Sequence, residues 1–338
     1  VTAPRSPIHA FAALAPKARL VPFEYAPGAL GAHDVELEVS HCGLCYSDVH
    51  LIDDDWKKSR YPLVPGHEVI GVVVARGAEV SHLAVGQRVG VGWQHGACGS
   101  CEFCLTGHEN LCPTQTATAV GHHGGVAQRM IADARFALPI PDKLASAPAA
   151  PLLCGGVTVY APMRRFGVTA KSRVGVIGIG GLGSMAIAIA HRLGAEVTAF
   201  TSTPAKRDEA LRMGANEAVP STDVKEVKKL AGRLDLLLST VHVKLDYMTY
   251  LQVLRPNGAL VLLGGGTGLL TLAQPALLGQ RILTTGEIGT RAAIAELLDL
   301  AARHAIEPII EVAPMHDVQA QIDRLRANQV RYRAVLAN

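Results

Sequence analysis

Val174-Gly175-Val176-Ile177-Gly178-Ile179-Gly180-Gly181-Leu182-Gly183 runs from β-branched residues into spaced glycines, and an alanine-rich helical pattern follows at once. The reading is strand, tight turn and helix start, the context in which G-x-G-x-x-G binds a dinucleotide. Gly178 permits the turn, Gly180 lets the backbone approach a pyrophosphate, and Gly183 lets helix and strand pack closely. Gly181 and Leu182 open the helix, whose free N–H groups face the phosphates. Without the strand and the helix the same spacing would read as an ordinary glycine-rich turn.

Outward from this stretch the pattern stays α/β. Ser184 to Leu193 reads as an apolar helix ended by Gly194, and Glu196 to Phe200 as a second parallel strand. An NAD-binding unit places an acid just past that strand to hold the ribose 2′-OH. Here stands Thr201-Ser202-Thr203-Pro204-Ala205-Lys206-Arg207, with hydroxyls, two cations and no carboxylate. Those groups suit a 2′-phosphate, so the expected cofactor is NADP(H); a helix N-cap followed by a solvated basic face is the bland alternative. Further on, Leu211 to Ala215 reads as a helix closed by Gly214 and Asp235 to Thr240 as a buried strand. Val253 to Asn257 reads as a helix end, and Ala259 to Leu263 as another strand. Strands and helices alternating at these lengths predict a doubly wound parallel sheet. Ala292 to His304 and Asp317 to Ala327 read as amphipathic helices, with a short strand from Ile306 to Val312 between them.

The 338 residues suit about two domains. Hydrophobic residues at 49% and charged residues at 18% supply cores rather than disorder. A net charge of +3 is too small to point to nucleic acid or a membrane surface. No apolar run of about 18 residues could span a bilayer, and Val1 to Ala15 lacks a signal-peptide layout. Six of the seven cysteines precede Pro113, which suits metal binding in a reducing compartment better than a disulfide framework. The expectation is a soluble cytoplasmic protein.

A β-rich domain begins with the alternation His33-Asp34-Val35-Glu36-Leu37-Glu38-Val39-Ser40. Next, His41 to His50 gathers thiols, a hydroxyl, a carboxylate and imidazoles into ten residues. Pro65-Gly66-His67-Glu68 then leads into the strand-like Val69 to Val74, where His67 is placed to bind a metal or to sit in the core as a satisfied imidazole. Cys98, Cys101, Cys104 and Cys112 are more specific. Their C-x2-C-x2-C-x7-C spacing in a glycine-punctuated loop fits the closed S4 shell of a structural zinc, which would pin a lobe too small for its own core. Ferredoxin runs also end Cys-Pro, but with three residues before the last cysteine rather than seven. The adjacent His122 and His123 read as loop residues, and Pro139, Pro141 and Pro148 punctuate a boundary.

Pro151-Leu152-Leu153-Cys154-Gly155-Gly156-Val157-Thr158-Val159-Tyr160 completes a set of motifs. Together with Gly43 to His50, Pro65 to Glu68, the four-cysteine lobe and the glycine turn, it resembles the zinc-containing medium-chain alcohol dehydrogenases. The likeness covers nearly the whole chain and is greatest to their cinnamyl alcohol dehydrogenase-like branch. It implies a Rossmann sheet over 151–287 and a discontinuous, GroES-like catalytic domain over 1–150 and 288–338, with the site in the cleft between them. It also implies that Cys45, His67 and Cys154 hold a catalytic zinc with a fourth position open, with Glu68 nearby as an occasional ligand. Asp48 would fix the His67 tautomer, and Ser47 and His50 would relay the alcohol proton. Thr158, Thr240, Gly264 and Ile288 would line the cofactor site.

The activity implied is hydride transfer between NADP(H) and a primary alcohol/aldehyde pair, with two zinc ions per chain and a homodimer as the family norm. Two departures stand out: Tyr46 replaces a basic or imidazole side chain, and Gly286 replaces a serine. Trp56 and Trp93 are candidates for an apolar substrate wall, or for plain packing, which would suit aromatic or medium aliphatic aldehydes. The competing readings are an NAD(H)-preferring alcohol or polyol dehydrogenase and, from a different class, a nucleotide-binding thiol redox sensor. A sensor would have titratable thiols and no stoichiometric zinc, and a zinc-free quinone reductase is disfavoured by the three ligands.

Overall fold

A computed structural model describes residues 5–243, 245–264 and 269–338. The chain forms two compact units, Val1–Cys154 with Thr290–Asn338, and Gly155–Gly289. Among the described residues no helix is long and apolar enough to cross a membrane.

In the first unit a sheet runs in the order Ile310–Pro314, Arg333–Ala337, Asp34–Leu44, Glu68–Arg76, Arg88–Val91, Ala137–Pro139, with Arg129–Asp133 also paired to Asp34–Leu44. Asp34–Leu44 is the axis. Alternation buries Val35, Leu37 and Val39, and further on Leu44, against Val73, Val89, Met130 and Leu336. The strand outlasts the alternation by four residues, so Cys42 and Gly43 lie inside it and Cys45 caps the following helix, Tyr46–Asp53. In the antiparallel register Gly43 faces Glu68 on one side and Val335 on the other.

The second unit is the doubly wound sheet expected from the sequence. Six parallel strands run Glu217–Pro220, Glu196–Thr201, Arg173–Ile177, Leu234–Ser239, Leu254–Leu262, Ile282–Thr285, the order 3-2-1-4-5-6 within the unit. Val174, Val176, Val197, Ala199, Leu236 and Leu238 are fully or almost fully buried, as strands covered on both faces require.

Two local expectations are corrected. Residues 253–257 do not end a helix: Tyr247–Gln252 stops first, and Leu254–Leu262 is already a strand with a register break after Leu254. Pro256 cannot donate to a helix, and Asn257 turns with φ 63°. The strand expected over Ile306 to Val312 runs Ile310–Pro314. Pro308 lacks a donor, and pairing begins where the Ile309 carbonyl accepts from Tyr332 and Arg333.

Candidate active site

Three elements of the first unit converge on one group of donors. Cys45 caps the helix Tyr46–Asp53, His67 precedes the strand Glu68–Arg76, and Cys154 follows the 3-10 turn Ala150–Leu153. One ligand atom from each, with a carboxylate oxygen of Glu68, lies within 4.8 Å of every other, and all four residues are buried. His67 Nε2 is 3.3 Å from Cys154 Sγ. Zinc with tetrahedral N and S ligands separates them by about 3.5 Å. Donor chemistry and spacing both fit zinc.

Asp48, fully buried, orders this group. Its Oδ2 accepts from Cys45 N at 2.9 Å, and its Oδ1 accepts from Gly66 N at 2.9 Å and pairs with His67 Nδ1 at 3.0 Å. One carboxylate thus fixes the helix start, the turn before His67 and the ring, leaving Nε2 toward the sulfurs. Burial opposes a charged His67, but Asp48 and Cys45 outweigh it and hold the imidazole well above its usual range. The Cys154 thiol holds Cys45 well below the usual thiol range against burial, with help from Arg333 and His67. The same contact, with burial, pushes Cys154 up. Cys42 stays outside the group and packs on Gly66, where a Cβ would meet its Sγ at 2.6 Å.

Arg333 is the residue that motif reading missed. It is buried on the last strand and ion-paired with Glu68. Burial pushes the Glu68 carboxyl up to about 7 even though Arg333 pulls against it. Arg333, whose guanidinium does not shed its proton in a protein, is the permanent charge of the pair and favours the ionised carboxylate. Glu68 Oε2 remains buried without a partner, an orphan acceptor beside the sulfurs that a cation would satisfy.

Ser47 and His50 lie three residues apart on the helix Tyr46–Asp53, hence on neighbouring positions of one face. Ser47 Oγ is 3.6 Å from Cys45 Sγ, and His50 Nδ1 is 2.7 Å from Asp55 Oδ2 at a partly exposed position. Among the described residues no hydrogen bond joins Ser47 to His50. Aromatic contacts continue the wall: His67 to Trp93 at 5.0 Å, Trp93 to Trp56 at 5.8 Å and Trp56 to His50 at 4.9 Å between ring centroids.

The four-cysteine lobe is separate within the same unit. Cys98 Sγ lies 3.6 Å from Cys112 Sγ and 3.9 Å from Cys104 Sγ, and Cys101 completes the group. Tetrahedral Zn–S bonds of about 2.3 Å set sulfurs about 3.8 Å apart. Cys98 accepts from the amides of Ser100 and Cys101, which lower its thiol to about 5. Buried Glu109 in this lobe accepts from Arg291 N at 2.6 Å and Nε at 3.2 Å, an anchor no motif announced.

In the second unit each glycine of the turn has its own reason. Gly178 has φ 89°; a Cβ on Gly183 would meet Gly178 O at 1.9 Å; a Cβ on Gly180 would meet nothing within 4 Å. Open space at Gly180, at the start of the helix Gly181–Arg192, is what a pyrophosphate needs. Gly181 and Leu182 are half-buried in the first turn. Thr240 Oγ1 donates to the Ile177 and Gly178 carbonyls at 3.0 Å, and Gly264 lies so close to Val241 O that a Cβ would meet it at 2.3 Å. Thr201 is buried and its hydroxyl accepts from Thr203 N, whereas Ser202, Thr203 and Arg207 are exposed. Lys206 Nζ donates to the Ile179 carbonyl of the glycine turn at 3.0 Å. Thr158 and Ile288 are half-buried in this unit, Thr158 on the helix Gly155–Arg165.

Comparison with known proteins gives concordant matches. A family model described as alcohol dehydrogenase GroES-like domain matches residues 31–142, and one described as zinc-binding dehydrogenase matches residues 181–303. An aldehyde reductase from Synechocystis is 43% identical over 98% of this chain and 99% of its own. The solved cinnamyl alcohol dehydrogenase SbCAD4 from Sorghum bicolor superposes with a TM-score of 0.93 at 37% identity, over 98% of both chains. The Helicobacter pylori CAD structure, complexed with NADP(H), gives 0.90 at 30% identity, again over 98% of both.

Proposed function

Because the chain belongs to the zinc-containing medium-chain alcohol dehydrogenases, in their cinnamyl alcohol dehydrogenase-like branch, we propose that it transfers hydride between NADP(H) and a primary alcohol/aldehyde pair. The observation that carries the reading is the buried group Cys45, His67, Cys154 and Glu68, whose donor atoms lie within 4.8 Å. Cys45, His67 and Cys154 hold the catalytic zinc, with Glu68 in reserve, and Cys98, Cys101, Cys104 and Cys112 hold a structural one. When bound, zinc supplies a Lewis acid for the substrate oxygen and the nicotinamide supplies the hydride.

The chain's own residues do the rest. Asp48 keeps Nε2 of His67 toward the metal position, and Arg333 balances the charge of Glu68. The Ser47 hydroxyl, beside Cys45 Sγ, accepts the alcohol proton as it releases its own. Half-exposed His50, three residues along the same helix and paired with Asp55, receives that released proton through solvent and gives up another to bulk water. Trp56 and Trp93 form an apolar wall suited to aromatic or medium aliphatic substrates. We assign catalysis to residues 1–150 with 288–338, joined by the ligand Cys154, and cofactor binding to 151–287, joined by Ile288.

For the cofactor, the Gly178, Gly180 and Gly183 turn receives the pyrophosphate, with Thr158, Thr240, Gly264 and Ile288 along the remainder. Exposed Ser202, Thr203 and Arg207, with Lys206 beside the turn, favour a 2′-phosphate because they offer donors and positive charge without a carboxylate. The NADP(H) carried by the Helicobacter pylori relative agrees with that preference. A homodimer is supported by the sheet edge Ile282–Thr285, next to which Leu277, Leu278 and Ile282 are exposed.

The test is aldehyde reduction by wild type and Cys45→Ala with NADPH or NADH, with zinc counted per chain. The expected result is NADPH-preferring turnover, lost in the variant, and about two zinc ions in the wild type. Preference for NADH would overturn the reading of Ser202 to Arg207 alone. Zinc-free protein with intact turnover would overturn the mechanism.

A further inference from the structure

We propose that the cavity beside Trp56 receives an anionic end of the substrate, so that the preferred aldehydes carry a carboxylate. The inference rests on the alcohol/aldehyde reading above and narrows its substrate class. The cavity, about 720 Å³, lies in the first unit and is lined by Lys57, Lys58, Arg60, His95, Thr116 and His122 among others. That volume is ordinary for a small-molecule site.

Its charge is one-sided. None of its lining residues is acidic, and among the described residues none of Lys57, Lys58 and Arg60 forms an ion pair. The neighbouring acids hold other partners: Asp53 pairs with Arg326 and Asp55 with His50, while Asp54 accepts from the amide of Ser59, a lining residue, rather than from a cation. The backbone turns sharply to separate them, with Asp54 and Lys57 both at φ 56°, in the left-handed region that glycine or asparagine fills more easily. Such conformations persist where the surroundings over-determine them, often at ligand sites.

The histidines leave that charge to the lysines and the arginine. His95 and His122 stack with ring centroids 3.6 Å apart, and burial holds both below the usual imidazole range. They are neutral near pH 7. His122 Nε2 is itself buried without a partner, so the neutral ring contributes wall rather than charge to the cavity.

Position links the cavity to the metal group. Lys57 and Lys58 directly follow Trp56, which meets Trp93, which meets His67. A substrate with its oxygen toward Cys45, His67 and Cys154 and an aryl or short aliphatic body along the two indoles would direct its far end toward these cations. Three exposed cations are individually weak, but together they are worth about tenfold in selectivity.

The experiment uses the zinc-loaded enzyme at saturating NADPH and compares kcat/KM for 4-formylbenzoate with that for its methyl ester. At low salt the acid is expected to exceed the ester about tenfold, mainly through KM. The ratio should fall toward one in Lys58→Gln/Arg60→Gln and shrink at about 0.5 M salt. The charge-keeping pair Lys58→Arg/Arg60→Lys should restore it. A wild-type ratio at or below one, with the ester reduced normally, would overturn the proposal and leave the underlying activity standing. A high ratio indifferent to both salt and the variants would also overturn it. If neither compound were reduced, the alcohol/aldehyde reading would fall first, and the proposal with it.

Discussion

The guanidinium of Arg333 is ion-paired with the carboxylate of Glu68 across 265 positions of sequence, inside the first unit, with neither side chain more than 5% exposed. Gly43 makes the pair possible. It lies on the strand between the two, opposite Glu68, and a Cβ there would meet Glu68 Oε2 at 2.1 Å. A glycine on the central strand lets the Glu68 side chain cross it and reach the C-terminal strand.

Breaking this pair from one side should be costly. Arg333→Met leaves a carboxylate buried and unpaired, which is expected to destabilise the first unit by about 3–5 kcal/mol. Arg333→Met/Glu68→Gln removes both charges and should recover more than half of that. Urea unfolding of zinc-loaded protein measures both, and a single variant within about 1 kcal/mol of wild type would contradict the argument.

Asp48 should act on the metal rather than on the fold as a whole. Asp48→Ala frees two backbone amides and lets the His67 ring turn, and zinc affinity is expected to fall about 10–100-fold. Competition with a chromophoric chelator reads this directly. Asp48→Asn keeps an acceptor in place and should lie between the two. Equal zinc retention by all three proteins would remove the orienting role.

Two glycines of the nucleotide turn should fail in different ways. Gly183→Ala puts a Cβ at 1.9 Å from Gly178 O, so the turn must open and the second unit should lose stability. Gly180→Ala meets nothing in the free protein, yet occupies the space a pyrophosphate needs. Its melting temperature should match wild type while the NADPH dissociation constant rises at least about tenfold, since a methyl group obstructs close backbone approach. Calorimetric titration and thermal unfolding separate the two effects. Tight NADPH binding by Gly180→Ala would place the phosphates elsewhere.

What could be read from the sequence was local. The glycine turn, the cysteine spacings and the strand alternation each sit within a dozen or so residues, and each encodes its own geometry. Arg333 and Arg291 could not be read that way. Each is an arginine in an unremarkable C-terminal segment, and its role exists only once the chain has brought it back to Glu68 or Glu109. The cavity cations were hidden for a related reason: Lys57, Lys58 and Arg60 follow three acids in sequence, so the segment reads as a mixed solvated turn. Only the folded chain shows that Asp53 turns to Arg326, Asp55 to His50 and Asp54 to the Ser59 amide, so that none of the three pairs with those cations. The misplaced strand near Ile309 shows the same limit, because its start is set by a partner at Tyr332 and Arg333 rather than by its own apolar run.

His122 gives the fold a sensitivity to mild acid. Burial, and then the facing His95, bring its imidazole from 6.5 down to about 3, with Lys57, Lys58 and Arg60 lining the same cavity. A base whose folded pKa is depressed contributes stability that is fully present above its unfolded pKa and is lost as pH falls toward the folded value. The window is therefore about pH 6.5 down to 3, in which the unfolded chain takes up a proton that the folded protein refuses. In His122→Gln the slope of unfolding free energy against pH across 6 to 4 should be smaller by about one proton, or about 1.4 kcal/mol per pH unit. Taking the difference between the two proteins removes the protons linked to zinc release, which both share. Imidazole NMR titration gives an independent check, with the His122 resonance expected to stay in its neutral position at pH 5. A resonance titrating near 6.5, or identical slopes, would show that the stacked pair of His95 and His122 is open to water rather than held neutral.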